Sequence, residues 1–390
     1  MLANGINGLP PSEIAAATFT VKRPGELTLP ERKAWSTLRS FNSALYSPYF
    51  DIRYTDHVAT LRDDTFVVIA ERDSDITAFL PYQSAGKFAA PIGAPMTDYH
   101  GVIKAPHETL DAATMLQAAG LGAFNFNALI DVDDTETSAL MTVRSEHSAA
   151  VMDVSKGAQA WRADRDGSYR RSLKSLRRRI RNAESEIGPR RFVFQSKDQD
   201  LFDTLMAWKR AQFKVTGKYD VLSAGWTQDL LERLWKSPEN EVHCELHALY
   251  FGDVLAAIDF GLTDGHIYHS WIVAYDNAVA AYSPGIQLLE GLIDHSGALG
   301  YYKIDLGAGT DGYKKNYATD PLVVKEGFIA MQGAAGKMLS LYGKAEVMGE
   351  NKMSDLPGKL RRRYTQIANC DHSYTGRAKA MIEAVLGSRK

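Results

Sequence analysis

Hydrophobic and polar positions follow two different periods along the chain, and these periods predict helices and strands in a repeated order. In the first half, apolar residues at helical spacing predict helices over residues 29–42 and 49–62. Period-two runs joined by an Asp/Ser turn predict a hairpin over residues 65–84. Further β-rich runs lie at 123–131 and 149–155. The first half therefore has α/β character.

The second half repeats this order of elements. A predicted strand at 191–197 precedes predicted helices at 201–215 and 227–237. Residues 244–276 then predict three antiparallel strands connected by Gly/Asp turns. Because the hairpins occupy equivalent places in the two halves, the pattern indicates a diverged internal duplication.

The predicted fold class is α/β (α+β), with two tandem lobes. Each lobe is expected to be a mixed, mostly antiparallel sheet flanked by helices, and a helical C-terminal extension follows. The predicted boundaries are a first lobe over 1–160, a basic connecting helix over 161–191, a second lobe over 192–330 and a basic extension over 331–390.

Composition narrows the class of protein. A chain of 390 residues suits two domains, and 45% hydrophobic with 24% charged residues is ordinary for a globular protein. The net charge of -2 excludes a global field that favours nucleic acid. Cys244 and Cys370 provide neither a disulfide framework nor a zinc spacing, so no metal is expected.

The N-terminus does not resemble a signal peptide and no apolar run could span a bilayer. We therefore expect a cytoplasmic protein, with peripheral inner-membrane contact left open.

The segment Tyr282-Ser283-Pro284-Gly285-Ile286 predicts a helix start that could hold an anion. Serine suits the cap, proline suits the first turn, and glycine lets a ligand approach the backbone. Free N–H groups at a helix N-terminus can hold a pyrophosphate without a lysine. A helix start that is merely well capped is the alternative.

Three short sequence segments together resemble those of a known family. They are SLKSLRRRIR, YSPGIQLL and IDLGAGTDGYKKNY. They resemble the GNAT acetyltransferase fold, in particular the CelD/BcsL type associated with cellulose and exopolysaccharide synthesis. That type shares a doubled architecture with the Fem peptidyltransferases and is similar to transferases that modify holdfast polysaccharide. The resemblance covers residues 165–330 well and the first half loosely, so it implies a degenerate first lobe and an acyltransferase second lobe.

The resemblance implies roles for four residues of the second lobe. His269 corresponds to the general base, and Asp305 ends the next strand, where it could bind the acceptor or orient His269. Lys314 is implied in stabilising an oxyanion, and Tyr317 in protonating the departing thiolate. The alternatives are a hydrogen-bonded strand histidine, an aspartate that caps a glycine turn, and a core tyrosine.

The resemblance also implies the ligands. Acetyl-CoA is the expected acyl donor, with its phosphates on residues 282–286, although this loop has a single glycine where the family has more. In Fem-like doubled folds the acceptor lies between the halves, so Asp98 and Tyr99 are candidate acceptor-binding residues. Loop-turn residues are the alternative for this pair.

Two arginine-rich segments are candidate anion sites. SYRRSLKSLRRRIR has seven basic residues in fourteen, and its Arg177 and Arg178 are expected to bind a phosphate-bearing substrate. Surface salt bridges are the alternative. The tail word KLRRRYTQ combines arginines with a tyrosine, which could grip phosphates and stack on purines. Cyclic di-GMP is the candidate effector there, on residues Arg361, Arg362, Arg363 and Tyr364, and a plain basic helix end is the alternative.

The predicted function is N-acetyl transfer from acetyl-CoA to an amino sugar of an exopolysaccharide (holdfast or cellulose-like) or its lipid-linked precursor, with a role in biofilm formation. One alternative is a Fem-like transferase that uses aminoacyl-tRNA, the one case in which a nucleic acid would be a partner. Another is a non-catalytic effector of polysaccharide synthesis that senses a nucleotide.

Overall fold

The computed structural model describes residues 16–131, 138–309, 312–353, 356–371, 377 and 381. The first fifteen residues and most of the chain beyond 371 lie outside this part, including the segment for which no signal peptide was predicted. The described strands are β1 Thr18–Lys22, β2 Thr65–Arg72, β3 Asp75–Ala85, β4 Phe88–Pro91, β5 Ile103–Lys104, β6 Ala123–Leu129, β7 Met141–Asp153, β8 Arg190–Val193, β9 His243–Phe251, β10 Val254–Thr263, β11 Ile267–Tyr275, β12 Lys303–Ala308 and β13 Leu322–Ala330.

The described α-helices flank these strands. They are α1 Leu29–Ser40, α2 Ile52–Ala59, α3 Ala112–Ala118, α4 Ala158–Ala163, α5 Gly167–Glu186, α6 Gln199–Thr216, α7 Gly225–Trp235, α8 Pro284–His295, α9 Ala334–Met353 and α10 Leu356–Cys370. None of the helices in the described ranges is long and apolar enough to cross a bilayer.

The thirteen strands form one continuous sheet through both halves. Its order is β1-β2-β3-β4-β6-β13-β7-β12-β11-β10-β9-β8, with β5 beside β3. Most neighbours are antiparallel, and the β4–β6 and β11–β12 pairs are parallel. Strand β13 lies between β6 and β7, and β7 also pairs with β12. The two halves therefore exchange strands at the centre of the sheet, a feature that no sequence pattern predicts.

Each half contains the predicted order of a strand, two helices and a hairpin. This order is β1-α1-α2-β2-β3 in the first half and β8-α6-α7-β9-β10 in the second. The first hairpin turns at Asp73 and Ser74, both in the left-handed region with φ of 50° and 70°, as such two-residue turns require. The predicted α/β class and the helical C-terminal extension are confirmed, whereas the strands of the two predicted lobes belong to one continuous sheet. Strands β1 and β13 and helix α4 were not predicted.

The apolar core joins the two halves on one face of the sheet. Trp35 and Phe79 from the first half belong to the same buried cluster as Phe202 and Phe260 from the second. On the opposite face, α4 and α8 pack in a separate cluster that contains Ile304 and Leu306 of β12. Since neighbouring strand residues point to opposite faces, residue 305 faces the layer formed by α1, α2, α6 and α7.

Candidate active site

Strands β11 and β12 separate in the middle of the sheet and leave a cleft. Their parallel pairing runs through three residue pairs and ends where His269 lies beside Asp305. Beyond this point a cavity of about 300 Å³ lies between the strands. Its lining residues are Asp98, Asn127, Ala128, Lys209, Ser270, Trp271, Val273, Leu306, Gly307, Ala308, Tyr313 and Lys314. Both halves of the chain therefore contribute to the wall.

A carboxylate, an imidazole and a second carboxylate form a line that ends at this cavity. The Oδ2 atom of Asp98 lies 2.8 Å from Nε2 of His269, and Oδ2 of Asp305 lies 3.6 Å from Nδ1. The side chains of His269 and Asp305 have no exposed surface, whereas that of Asp98 is 39% exposed. Asp98 is thus the member of the line that a ligand in the cavity can touch.

Asp305 is held by three further donors. The hydroxyls of Tyr46 and Tyr99 donate to its two oxygens at 2.5 and 2.8 Å. The backbone N–H of Gly307 donates to Oδ1 at 2.7 Å, in a turn where Gly307 has φ of 76°. Because that conformation strains residues with a Cβ, glycine suits this position. A carboxylate with this many donors is fixed in orientation and keeps its charge.

The electrostatics of the line favour a buried ion pair. Burial alone would lower the pKa of His269, but the nearby charge of Asp305, and the hydrogen bond and charge of Asp98, raise it to about 9. Burial raises the pKa of Asp305, but His269, Tyr46 and the Gly307 amide outweigh this effect and lower it. His269 is therefore an imidazolium at neutral pH, between two carboxylates.

We expect His269→Gln to remove a pH dependence of stability. The folded pKa of about 9 lies above the ordinary 6.5, so the stabilisation is complete below pH 6.5 and is lost as the pH rises through 9. Over this window the unfolding free energy of the wild type should fall by on the order of 3 kcal/mol more than that of the variant. Urea unfolding at a series of pH values measures the difference, and parallel curves for the two proteins would contradict the ion pair.

The side chains of His269 and Tyr99 lie behind the residues that line the cavity. The imidazole of His269 is fully buried and both of its nitrogens face carboxylates, so His269 does not itself line the cavity. Tyr99 is 1% exposed and donates to Asp305, so it positions that carboxylate. Asp98, predicted to contact the acceptor, does line the cavity.

Lys314 and Tyr317, both predicted to stabilise charge that develops during the reaction, lie in different places. The ammonium of Lys314 donates to the carbonyl oxygen of Leu306 at 2.6 Å and lines the cavity. Tyr317 is buried, donates to Glu290 at 2.9 Å and stacks on Trp161. This cluster lies on the α8 face of the sheet, so Tyr317 is not among the residues that line the cavity. Tyr313 is the tyrosine that lines the cavity.

The predicted anion loop lies beside the cleft but is built differently from the expectation. Helix α8 begins at Pro284. The backbone N–H groups of Gly285 and Ile286 lie in its first turn, where no carbonyl group of the helix can accept from them. Ser283 has left-handed geometry and does not cap the helix, because its hydroxyl accepts from Arg179 at 2.5 Å. Tyr282 donates to Glu186 of α5. A Cβ on Gly285 would lie 3.7 Å from Val273, a cavity residue, so the helix start adjoins the cleft.

The basic helix α5 presents its positive charges to solvent. Its buried residues are Tyr169, Leu176 and Ala183, whereas Arg177, Arg178 and the other basic side chains of its first four turns are exposed. Within the described ranges, Arg177 and Arg178 form no ion pair, so the alternative of surface salt bridges is not found for them. Arg179 is the α5 arginine that contacts the α8 helix start.

The structure separates the arginines of the predicted nucleotide site in the tail. Arg361 is 9% exposed and bonds Glu346 and Glu326 at 2.8 and 2.5 Å. Arg363 donates to the carbonyl oxygen of Gly217, while Arg362 and Tyr364 are exposed. Arg361 and Arg363 could bind one ligand together only if these internal contacts broke. The predicted four-residue site is therefore not formed in this structure.

Several residues of the cavity and of its supporting contacts carried no recognisable signal in the sequence. Tyr46 lies in a loop after α1 and reaches Asp305 across 259 positions of the chain. Lys209 lies within an ordinary amphipathic pattern of α6, and Ser270 and Trp271 lie within an ordinary strand pattern. Only their placement around the cleft identifies them.

Residues 170–315 match the family model described as an acetyltransferase (GNAT) domain. This range contains His269, Asp305, Lys314 and the α8 helix start, whereas Asp98 lies outside it. This stretch of the second half is therefore similar to a GNAT acetyltransferase domain, and the cavity beside it also has lining residues from the first half. No curated protein matches the chain.

Three solved structures show distant similarity to this chain. The C-terminal domain of a proposed lysylphosphatidylglycerol synthetase from Agrobacterium fabrum has 13% identity and a TM-score of 0.47, over 79% of this chain and 94% of that one. A tandem GNAT protein from the clavulanic acid pathway has 6% identity and a TM-score of 0.47, over 82% and 100%. FemX has 10% identity and a TM-score of 0.47, over 81% and 98%.

Proposed function

We propose that the protein transfers an acetyl group from acetyl-CoA to the amine of an amino sugar in an exopolysaccharide or its precursor. The observation that carries the proposal is the Asp98–His269–Asp305 line, which ends at a cavity between two separating strands of the GNAT domain. The exopolysaccharide acceptor rests on the resemblance of the sequence words to the CelD/BcsL type.

Asp98 has the position of the general base in this proposal. Its exposed carboxylate binds the acceptor ammonium and takes the proton that the nitrogen loses before it attacks the thioester carbon. The C–N bond forms and the C–S bond breaks in the same site, so no covalent enzyme intermediate is required. His269 and Asp305 hold the Asp98 carboxylate in place and stabilise its charge.

Two further cavity residues, Tyr313 and Lys314, stabilise the charges that develop as the thioester reacts. Burial, followed by the charge of Asp259, raises the pKa of Tyr313, so its hydroxyl keeps a proton that it can give to the departing thiolate. The Lys314 ammonium lies beside the backbone carbonyl oxygens of Leu306 and Ala308. Its positive charge there would stabilise the negative charge that develops on the thioester oxygen.

The start of α8 and the nearby face of α5 are the proposed site for the phosphates of acetyl-CoA. The Gly285 and Ile286 amides and the Arg179 guanidinium supply donors that suit a pyrophosphate. This site lies on the face of the sheet opposite to α6, so donor and acceptor would enter the cleft from different sides.

We expect Arg179→Met to weaken acetyl-CoA binding by about tenfold, because a charge-assisted hydrogen bond to phosphate is lost. Isothermal titration at low and high salt measures this effect, which should shrink as salt screens the charge. Arg170→Met is the matched control, since Arg170 is exposed on the opposite side of the same helix. Equal affinities for the Arg179 variant and the wild type would remove the proposed phosphate site.

The proposed activity is tested with radiolabelled acetyl-CoA and a panel of amino sugars. Labelled N-acetyl product is the expected result, and aminoacyl-tRNA serves as the competing donor in a parallel reaction. Transfer from aminoacyl-tRNA without transfer from acetyl-CoA would replace the proposal with a Fem-like function.

A further inference from the structure

A lysine of helix α6 lies at the cavity wall, and no described residue forms an ion pair with it. The ammonium of Lys209 on α6 lies 3.4 Å from the carbonyl oxygen of Val273 and 5.6 Å from the centre of the Phe213 ring. No carboxylate of the described residues lies within ion-pair distance of it. Burial, and then the nearby charge of Lys218, lowers the pKa of Lys209, so keeping it charged here carries a free-energy cost.

The cavity therefore carries separated charges of opposite sign. Asp98 and Lys209 line the same space, and both are accessible to a ligand there. A half-buried ammonium without an acidic neighbour is stabilised most by an anionic group of the ligand. Since α6 lies on the face opposite to α5 and α8, that anionic group does not belong to the donor's pyrophosphate.

We infer that Lys209 is a specificity-determining residue that binds a phosphate or carboxylate of the acceptor while Asp98 binds its amine. The acceptor class is thus an amino sugar that also carries an anionic group, such as a sugar phosphate or an amino uronic acid. This inference rests on the proposed function for the identity of the amine-bearing ligand, but the anion site itself can be measured by binding alone.

The test compares three ligands and four proteins. The ligands are glucosamine, a glucosamine phosphate and glucosaminuronate, and the proteins are wild type, Lys209→Met, Lys209→Arg and Lys214→Met. Lys214 is an exposed lysine on the same helix that does not line the cavity, so its variant is the matched control. Affinities are measured by calorimetry, and kcat/KM is measured with acetyl-CoA.

Wild type should bind one of the anionic ligands about tenfold more tightly than glucosamine, and Lys209→Met should abolish that preference. Lys209→Arg should retain most of it, because the positive charge remains, and Lys214→Met should match wild type. The larger preference shows whether phosphate or carboxylate is the group bound. Equal affinity of the wild type for all three ligands, or a uniform loss for all three in Lys209→Met, would overturn the inference.

The binding arm separates this inference from the proposed function. A Lys209-dependent preference for the anionic ligands without any acetyl transfer would sustain the anion site and refute the acetyltransferase proposal. Acetyl transfer without such a preference would support the acetyltransferase proposal and refute the anion site.

Discussion

The Asp98→Asn variant is expected to lose acyl transfer while it retains acetyl-CoA binding. An amide has the size of the carboxylate but cannot take the proton of the attacking amine. General-base catalysis contributes roughly a hundredfold to ten-thousandfold in rate, so kcat should fall by that amount. The affinity for acetyl-CoA, measured by titration calorimetry, should stay within about twofold, because the proposed phosphate contacts lie at α8 and α5.

Asp63→Asn is the control for this experiment, because Asp63 is an exposed carboxylate of the same half. It should keep wild-type rates. Since Asp98 also bonds His269, unfolding curves of the Asp98 variant show whether a rate loss reflects misfolding. A folded Asp98→Asn protein with a rate within about threefold of wild type would remove Asp98 from the chemistry.

The second large effect is a loss of stability in Asp305→Asn. This substitution leaves the His269 imidazolium buried without its charged partner at Nδ1, which should lower the unfolding free energy at pH 7 by roughly 3 kcal/mol. Tyr46, Tyr99 and the Gly307 amide donate to both oxygens of the native carboxylate, and an amide nitrogen cannot accept from a donor. Urea unfolding at neutral pH measures the loss.

The double variant Asp305→Asn/His269→Gln distinguishes a lost ion pair from simple damage to packing. If the two charges stabilise each other, removing both should cost clearly less than the sum of the single variants, because no uncompensated charge stays buried. Additive losses would show that the two side chains act independently. In that case the ion pair of His269 and Asp305 would not be what holds the Asp98 carboxylate in place.

Local patterns in the sequence predicted most of the elements around the site. The hairpin turns, the α8 start and the end of α5 follow from short-range preferences of glycine, proline and polar residues, which act within a few positions. The exchange of β7 and β13 between halves depends instead on long-range pairing. No local pattern specifies which strand becomes the neighbour of another, so this feature was missed.

The same distinction applies to the candidate site. His269 and Asp305 were predicted to lie together, and they are register partners. Their protonation was not predictable, because it depends on Asp98 and Tyr46, which lie far away in the sequence. Tyr317 and Tyr313 differ by four positions, and only the structure shows that Tyr313 lines the cavity while Tyr317 belongs to the cluster around Glu290.

A crystal structure of the protein with coenzyme A and an amino sugar is the most direct test of the account. We expect the thiol end of the carrier in the gap beyond His269 and Asp305, its pyrophosphate at the Gly285 amide, and the sugar nitrogen within hydrogen-bonding distance of Asp98. Carrier bound away from the gap between β11 and β12, or Asp98 turned away from the sugar nitrogen, would contradict it.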